Sequence, residues 1–211
     1  MMLTLHFLRQ GDLFLDIGSN IGSYTVLAAG VRRATVWAFE PDPETVRALN
    51  RNIDLNGLSS RVVVHELALG DLDGEVEFTR GLDTVNRVAK VGDTNAHTVR
   101  IRKLDTLIGT AQPLMIKLDV EGYEEPVIRG AQGLLAGDSL KVIELETLTA
   151  ETEATLKNHG FKRAYYDPFR RILTTFANEL AASNAVFVRD WDFVTARLTA
   201  SPVVGVLGKS I

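Results

Sequence analysis

The sequence predicts an α/β domain, a mostly parallel sheet with helices on both faces, and three observations predict it. Short apolar runs rich in β-branched and aromatic residues alternate with longer stretches of helical period. The first run hands over to a glycine-rich turn and then to a helix, and an acidic residue closes the second run. Strands alternating with helices of this length form βαβ units, which pair in parallel and carry helices on their faces.

Leu13-Phe14-Leu15-Asp16-Ile17 reads as a buried first strand, followed by a helix from Ile21 to Ala29. Ala34 to Phe39 is the second strand. Asp42-Pro43-Glu44 then supplies an N-cap, a proline at the first helical position and an acid in the first turn; Val46, Leu49 and Ile53 share one face, and Asn56-Gly57 ends the helix. Val62-Val63-Val64 is the third strand, Leu114 to Asp119 the fourth and Lys141 to Leu145 the fifth. Between the last two, Val127, Ile128, Ala131, Leu134 and Leu135 keep a helical period, with Pro126 tolerated in the first turn. Glu75–Phe78 and Thr98–Arg102 alternate apolar with polar residues, as half-exposed strands do, and a long polar connection joins them. Lys162 to Tyr166, Arg171 to Phe176 and Asn184 to Val188 are expected to close the sheet edge as antiparallel strands, with a turn at Asp167-Pro168-Phe169-Arg170. No repeat or linker interrupts the chain, so residues 1–211 read as one domain with its core at about 13–189.

Composition narrows the function classes. The 211 residues are 45% hydrophobic and 24% charged, with a formal net charge of −4 and no cysteine. The missing cysteines exclude disulfide scaffolds, thiol nucleophiles, iron–sulfur clusters and Cys-ligated zinc. An acidic balance argues against wrapping duplex nucleic acid, which needs a basic footprint. No apolar run approaches the roughly 20 residues of a membrane span. The apolar opening Met1 to Leu8 lacks a basic leader and a small-residue cleavage site, so a cytoplasmic domain is expected.

Asp16-Ile17-Gly18-Ser19-Asn20-Ile21-Gly22 sits where the first parallel strand meets its helix. Glycines there let backbone approach a ligand, and the helix start offers free amides. The turn departs from G-x-G-x-x-G, and an acid two residues before the first glycine is a poor neighbour for a pyrophosphate but suits a cationic or zwitterionic ligand. Glu40, ending the second strand, is placed to accept from two ribose hydroxyls. Taken singly, the turn could be an ordinary βα connection, Asp16 a helix cap and Glu40 a solvated loop residue. Their joint placement at βαβ spacing favours an adenosyl ligand without phosphates.

At this point a resemblance is carried by five ordered motifs. Phe14-Leu-Asp16-Ile-Gly18-Ser-Asn20-Ile-Gly22-Ser-Tyr24-Thr25, Ala38-Phe-Glu40-Pro41, Leu67-Ala68-Leu69-Gly70-Asp71 with Gly74, Leu104-Asp105-Thr106-Leu107, and Ile116-Lys117-Leu-Asp119-Val-Glu121-Gly122 are similar to those of the FkbM family of S-adenosylmethionine-dependent methyltransferases. The resemblance implies a class I methyltransferase (Rossmann-like) fold: a seven-stranded, mostly parallel sheet with helices on both faces and an antiparallel last strand. It further implies S-adenosylmethionine as cofactor and O-methylation of a hydroxyl on a sugar or natural-product-like small molecule. Carried over by position, Asp16, Gly18, Asn20 and Gly22 would hold the methionine part of the cofactor and Glu40 the ribose. Leu67, Ala68 and Leu69 would border the adenine, with Ser19, Pro41 and Asp119 completing the cofactor set. The partner of the adenine N6 amine stays open, since Asp71 lies far along its turn.

Methyl transfer from a sulfonium is an in-line displacement, so the protein has mainly to place an oxygen about 3 Å from the methyl carbon and remove its proton. Asp119 ends the fourth strand beside the expected methyl position and is the leading catalytic candidate, followed by Glu121 and Lys117. Lys117 lies on the same strand face as Asp119 and could lower its pKa by pairing with it; an ion pair of Lys117 with Glu121 beneath the site is the structural alternative. Asp119 with Glu144 or Glu146 could offer oxygens to Mg²⁺, but carboxylates ending neighbouring strands are common without a metal, and none is called for. His97, beside the 81–97 connection, is the one histidine worth testing as a base.

The expected partner is a small hydroxyl acceptor, with neither nucleic acid nor membrane, and a homo-oligomer is an open option. Two rivals stand beside this reading: an NAD-dependent Rossmann oxidoreductase, and a non-catalytic module that keeps the cofactor pocket. The dozen residues before the first strand leave little room for a lid, so acceptor recognition is expected from the 81–97 connection, the late strands, a neighbouring subunit or sequence upstream of Met1. The tail Ser201 to Leu207 is expected on a sheet edge or a subunit contact.

Overall fold

The computed structural model describes residues 1–79, 87–89, 92, 95–176 and 184–203, together with the backbone of 205–206 and 209–210. Five parallel strands form its centre: β1 (Leu13–Ile17), β2 (Thr35–Phe39), β3 (Val62–His65), and, beyond two short strands of a second sheet and a third described below, β7 (Pro113–Leu118) and β8 (Val142–Leu145). β9 (Lys162–Asp167), β10 (Ile172–Thr174) and β11 (Ala185–Val188) complete an eight-stranded sheet in the order β10-β9-β11-β8-β7-β1-β2-β3. The seven strands expected from the resemblance are therefore corrected to eight. β11 inserts antiparallel between β8 and β9, as an antiparallel last strand requires, and β10 folds back on β9 as an extra edge strand. The Asp167–Arg170 turn makes that hairpin: Asp167 Oδ1 accepts from the backbone N–H groups of Phe169 and Arg170, which closes the reversal locally.

Alternate strand residues enter two different cores, which is why these strands read as mainly apolar runs. Phe14, Met115 and Val142 face one side, with α2 (Ser23–Val26), α3 (Pro43–Leu55) and α8 (Trp191–Thr199); Leu15, Ile116 and Ile143 face the other, with α4 (Leu104–Ile108), α5 (Glu124–Arg129), α6 (Gln132–Ala136) and α7 (Ala150–Asn158). α3 starts as its sequence demands, with Asp42 Oδ1 accepting from the Glu44 N–H and Pro43 in the first turn. α2 starts at Ser23, two residues later than the apolar pattern suggests, because Asn20 and Gly22 both take left-handed backbone (φ 50° and 94°). It then widens into a π turn over Leu27–Val31. The residues before β1 form α1 (Met2–Phe7), whose Phe7 meets Phe193 of α8 edge-on while Arg197 donates to the Phe7 carbonyl.

The two half-exposed strands do not join the main sheet. β5 (Gly74–Thr79) and β6 (Ala96–Arg102) pair antiparallel and, with β4 (Ala68–Leu69), make a three-stranded accessory sheet in the order β4-β6-β5. Its small core of Phe78, Val99 and Ile101 rests on Tyr123. One seam fixes it to the body. A Cβ on Gly130 would lie 1.9 Å from the Gly70 carbonyl oxygen, so only glycine lets the two backbones meet. Arg129 pairs with Asp71 at 2.9 Å, and Asp73 accepts from the Lys103 N–H and the Thr106 hydroxyl. Asp105 of the Leu-Asp-Thr motif accepts from the Gly133 and Leu134 N–H groups at the start of α6.

Most of the long connection after β5 lies outside the described residues. In the tail, Gly205–Val206 pairs with Lys209–Ser210 as a short hairpin. No helix among the described residues is long and apolar enough to cross a membrane.

Candidate active site

The chain order reverses between β1 and β7, and in an open α/β sheet the crevice beyond the strand ends at that point takes ligands. A cavity of about 290 Å³ lies there. Gly18 and Asn20 from the turn after β1, Glu40 and Pro41 after β2, Leu67 to Leu69 around β4, and Asp119 and Glu121 after β7 all line it. The structure thus brings most of the sequence-derived set together.

The turn is held by strand ends as much as by its glycines. The N–H groups of Gly18 and Ser19 both donate to the Phe39 carbonyl at 3.0 Å, and the Asp119 N–H donates to Ile17. Gly18 (φ 74°) is required because a Cβ there would stand 1.8 Å from the Asp119 carbonyl oxygen. The pressure on this glycine therefore comes from the fourth parallel strand end. Gly22 packs similarly on Leu49 of α3. Asn20, left-handed without being glycine, is fixed by its own side chain accepting from the Ile21 N–H at 2.7 Å and by its N–H donating to Glu40 Oε2 at 3.0 Å.

Glu40 spans the mouth of the turn. Oε2 holds Asn20 and Oε1 accepts from the Asp42 N–H at 3.0 Å, while the residue is only 7% exposed. Burial pushes its carboxyl up to about 7, against the pull of those two backbone donors.

Asp16, Ser19, Gly22 and Lys117 stand behind the cavity and do not line it. Asp16 is fully buried, with Oδ2 accepting from the Thr25 hydroxyl at 2.6 Å and Oδ1 unpartnered; burial raises its pKa despite Lys117. It belongs to a charged row across three strands, since register places Lys117 between Asp16 of β1 and Glu144 of β8. Lys117 Nζ donates to Asp119 Oδ2 at 2.7 Å and sits 4.5 Å above the Tyr24 ring. Glu144, also buried, accepts at Oε1 from the Tyr24 hydroxyl and Asn184, and it does not belong to the carboxylate group that includes Asp119. Lys117 pairs with Asp119, which settles the choice against a Lys117–Glu121 pair.

At the far end of the cavity Asp119, Glu121 and Glu146 bring carboxylate oxygens within 4.8 Å of one another. Burial favours protonation of Asp119, but the hydrogen bond from Glu146 and the Lys117 charge overcome it and hold Asp119 below the usual carboxylate range. The same Asp119 hydrogen bond, then burial and the neighbouring Glu121 and Glu124 charges, push Glu146 up to about 7. Burial and Asp119 raise Glu121, whose backbone is left-handed at φ 51°.

Tyr123, Thr45 and Phe78 line the cavity without having been assigned to it from the sequence; Glu146 and Val88 line it too, the first named there only as an oxygen donor beside Asp119 and the second only as part of the 81–97 connection. Glu146 follows the end of β8 and was open to the strand-end rule that selected Asp119. Phe78 comes from β5 of the accessory sheet, whose placement no local pattern encodes, and Val88 is bridged to Phe78 from the connection between β5 and β6. His97 packs edge-on against Phe78 and does not line the cavity. Asp71, paired with Arg129, does not reach it either.

Residues 16–163 match the family model described as the methyltransferase FkbM domain. The chain belongs to the FkbM methyltransferase family. Among FkbM-related proteins, it is 28% identical over 146 residues to the hexuronic acid methyltransferase AglP of Haloferax volcanii, covering 68% of this chain and 59% of that protein. It is 27% identical over 197 residues to the 31-O-demethyl-FK506 methyltransferase FkbM of Streptomyces tacrolimicus, covering 73% and 74%. The crystal structure of methyltransferase FkbM from Methylobacillus flagellatus superposes with a TM-score of 0.56 at 20% identity, over 89% of this chain and 47% of that one, which shows the class I methyltransferase fold. The chain thus spans about three-fifths of the AglP length and about half of the M. flagellatus chain.

FkbM membership and the class I fold make S-adenosylmethionine the cofactor. The cavity suits it. Glu40 Oε1 and Oε2 each accept one backbone bond and keep lone pairs for ribose hydroxyls, and Leu67 to Leu69 supply an apolar flank.

Proposed function

We propose that this FkbM-family enzyme transfers a methyl group to a hydroxyl of a sugar or natural-product-like small molecule. The reading rests on one observation: a single cavity carries a buried ribose-type carboxylate, Glu40, at one end and the Asp119–Glu146 carboxyl pair at the other. The relatives named above, one a hexuronic acid methyltransferase and one a 31-O-demethyl-FK506 methyltransferase, agree with an oxygen acceptor.

When bound, S-adenosylmethionine supplies a methyl group on a sulfonium, whose C–S electron pair returns to sulfur as the acceptor oxygen takes the carbon. Glu40 accepts from the ribose hydroxyls. Leu67, Ala68, Leu69 and Pro41 flank the adenine. Gly18 and Asn20 present the turn to the methionine part, while Asp16, Ser19 and Gly22 hold that turn from behind. Lys117 fixes Asp119, and Asp119 with Glu121 and Glu146 receives the acceptor hydroxyl. Residues 1–211 act as one cofactor-binding domain, working in the cytoplasm on a small molecule.

Calorimetry with S-adenosylhomocysteine tests the cofactor half, and the expected result is micromolar binding. Incubation with tritiated S-adenosylmethionine and a panel of methyl glycosides and methyl uronosides tests the acceptor half. Absence of label in every sugar, with cofactor binding intact, refutes the sugar acceptor.

A further inference from the structure

We propose that Glu146 is the group that takes the acceptor's proton, and that Asp119 is a positioning residue which Lys117 keeps locked. The inference rests on the methyl-transfer reading above. Its first support is the division of hydrogen bonds. Lys117, 5% exposed at its side chain, spends its donor on Asp119 Oδ2 at 2.7 Å from behind the cavity, so Asp119 is committed as the partner of a buried cation. Glu146 is the exposed member of the pair, lines the cavity, and has no ion-pair partner among the described residues. A base held by a cation is weakened, whereas a base held by an anion through a hydrogen bond is strengthened.

The second support is placement. The Glu146 N–H donates to the Leu118 carbonyl at 3.0 Å, so the residue is pinned to the end of β7 rather than carried on a loose loop. Glu121, fixed in left-handed backbone, and Glu124 at the start of α5 add negative charge toward Glu146, and Asp119 faces it directly. Lys117 is the cation on this side, and Asp119 screens it from Glu146. A group near 7 also accepts a proton at neutral pH better than an acid held low, because a useful base must be both free and basic at the working pH.

The step balances. The acceptor O–H bond breaks, its proton passes to a Glu146 carboxylate oxygen, and the electron pair left on oxygen forms the new O–C bond while the C–S pair returns to sulfur. Glu146 then loses its proton to water.

Two measurements on the full chain decide it. The first is a carbon-detected titration of ¹³C-labelled glutamate carboxyls on the protein alone, in wild type, Glu146→Gln and Asp119→Asn. Two glutamate carboxyls should titrate near 7, of which one should vanish in Glu146→Gln and shift toward the ordinary range in Asp119→Asn. Because Glu40 also titrates near 7, Glu40→Gln identifies the second signal. The second is methyl transfer to the glycoside panel between pH 5 and 9. Wild-type kcat should rise with unit slope up to about pH 7 and then level off. Glu146→Gln should lose about 100-fold or more in kcat and the inflection, with KM and S-adenosylhomocysteine affinity within threefold. Asp119→Asn should keep an inflection, moved to lower pH. A Glu146 carboxyl titrating between 4 and 5, or a Glu146→Gln kcat within threefold of wild type, overturns the proposal. Turnover that requires added Mg²⁺ and is abolished by a chelator overturns it too, by giving these carboxylates to a cation. If no panel member is labelled, the acceptor reading fails while the titration still decides Glu146; if wild type does not bind S-adenosylhomocysteine, the cofactor reading fails instead.

Discussion

Binding of S-adenosylhomocysteine should expel a proton from Glu40. The carboxyl sits near 7 because burial outweighs its two backbone donors, and ribose hydroxyls add donors that favour the ionised form. At pH 6.5 a group titrating near 7 is roughly three-quarters protonated when free, so about 0.7 proton should leave on binding, falling to about 0.1 at pH 8. Affinity should accordingly weaken about fivefold between pH 7 and pH 6, equivalent to about 1 kcal/mol. Calorimetry at pH 6.5 in two buffers of different ionisation enthalpy counts the proton directly. The Glu40→Gln variant should lose the buffer dependence and bind about 10- to 100-fold more weakly, since a charge-assisted hydrogen bond contributes roughly 1.5–3 kcal/mol. The thioether ligand carries no sulfonium charge, which separates Glu40 from the carboxyls at the other end of the cavity. Stability of the free protein follows the same group. A folded pKa above the unfolded value contributes stability that is present below about 4.5 and lost as pH rises through about 7, up to roughly 3 kcal/mol, and Glu40→Gln should flatten that slope in urea titrations. Identical binding enthalpies for wild type in both buffers would refute the reasoning.

Other substitutions probe the frame around the cavity. Gly18→Ala forces a Cβ against the Asp119 carbonyl in left-handed backbone and should cost about 2–4 kcal/mol; a melting temperature within 2 °C of wild type would contradict the close approach. Lys117→Met removes the cation between Asp16, Asp119 and Glu144 and should destabilise by about 3–5 kcal/mol at pH 8, with partial recovery at pH 5.5 as carboxyls protonate; equal losses at both pH values would sink the electrostatic account. Asp105→Ala unties the first turn of α6 and should cost about 1–2 kcal/mol in thermal unfolding while leaving S-adenosylhomocysteine affinity unchanged; a change beyond threefold in affinity would mean the motif acts on the site.

Of the five parallel strands, β1, β7 and β8 were legible because they are buried on both faces and read as mainly apolar runs, while β3, at the sheet edge with Val63 exposed, was legible from its three valines. The edge strand β10 was harder to count. It is three residues long with Ile172 exposed, and only its pairing with β9 distinguishes it from the arm of a turn. Gly18 shows a different limit. Its need for positive φ was visible from the turn, but the cause, contact with a carbonyl 101 residues away in sequence, is a tertiary fact. Asp16 and Glu40 were both expected to touch the cofactor; Asp16 lies inside β1 and is covered by Thr25 of α2, whereas Glu40 stands one residue past the end of β2 and lines the cavity. Phe78 carried no local signal for the site, because the two-residue strand β4 that brings its sheet to the cavity is too short to be written in any pattern.

The Gly70–Gly130 seam has an evolutionary consequence. The wall bearing Phe78 and Val88 meets the cofactor-holding body through packing on Tyr123, the Gly70–Gly130 contact, the Arg129–Asp71 pair and the bonds of Asp73 and Arg100, whereas Gly18, Glu40 and Asp119 are interlocked through the backbones of three strands. Mutations in the β5–β6 hairpin can therefore accumulate without disturbing the half of the cavity that every catalytic cycle reuses. Exchanging that hairpin between family members, with the two glycines retained, is the natural route to new acceptor preferences on an unchanged cofactor site.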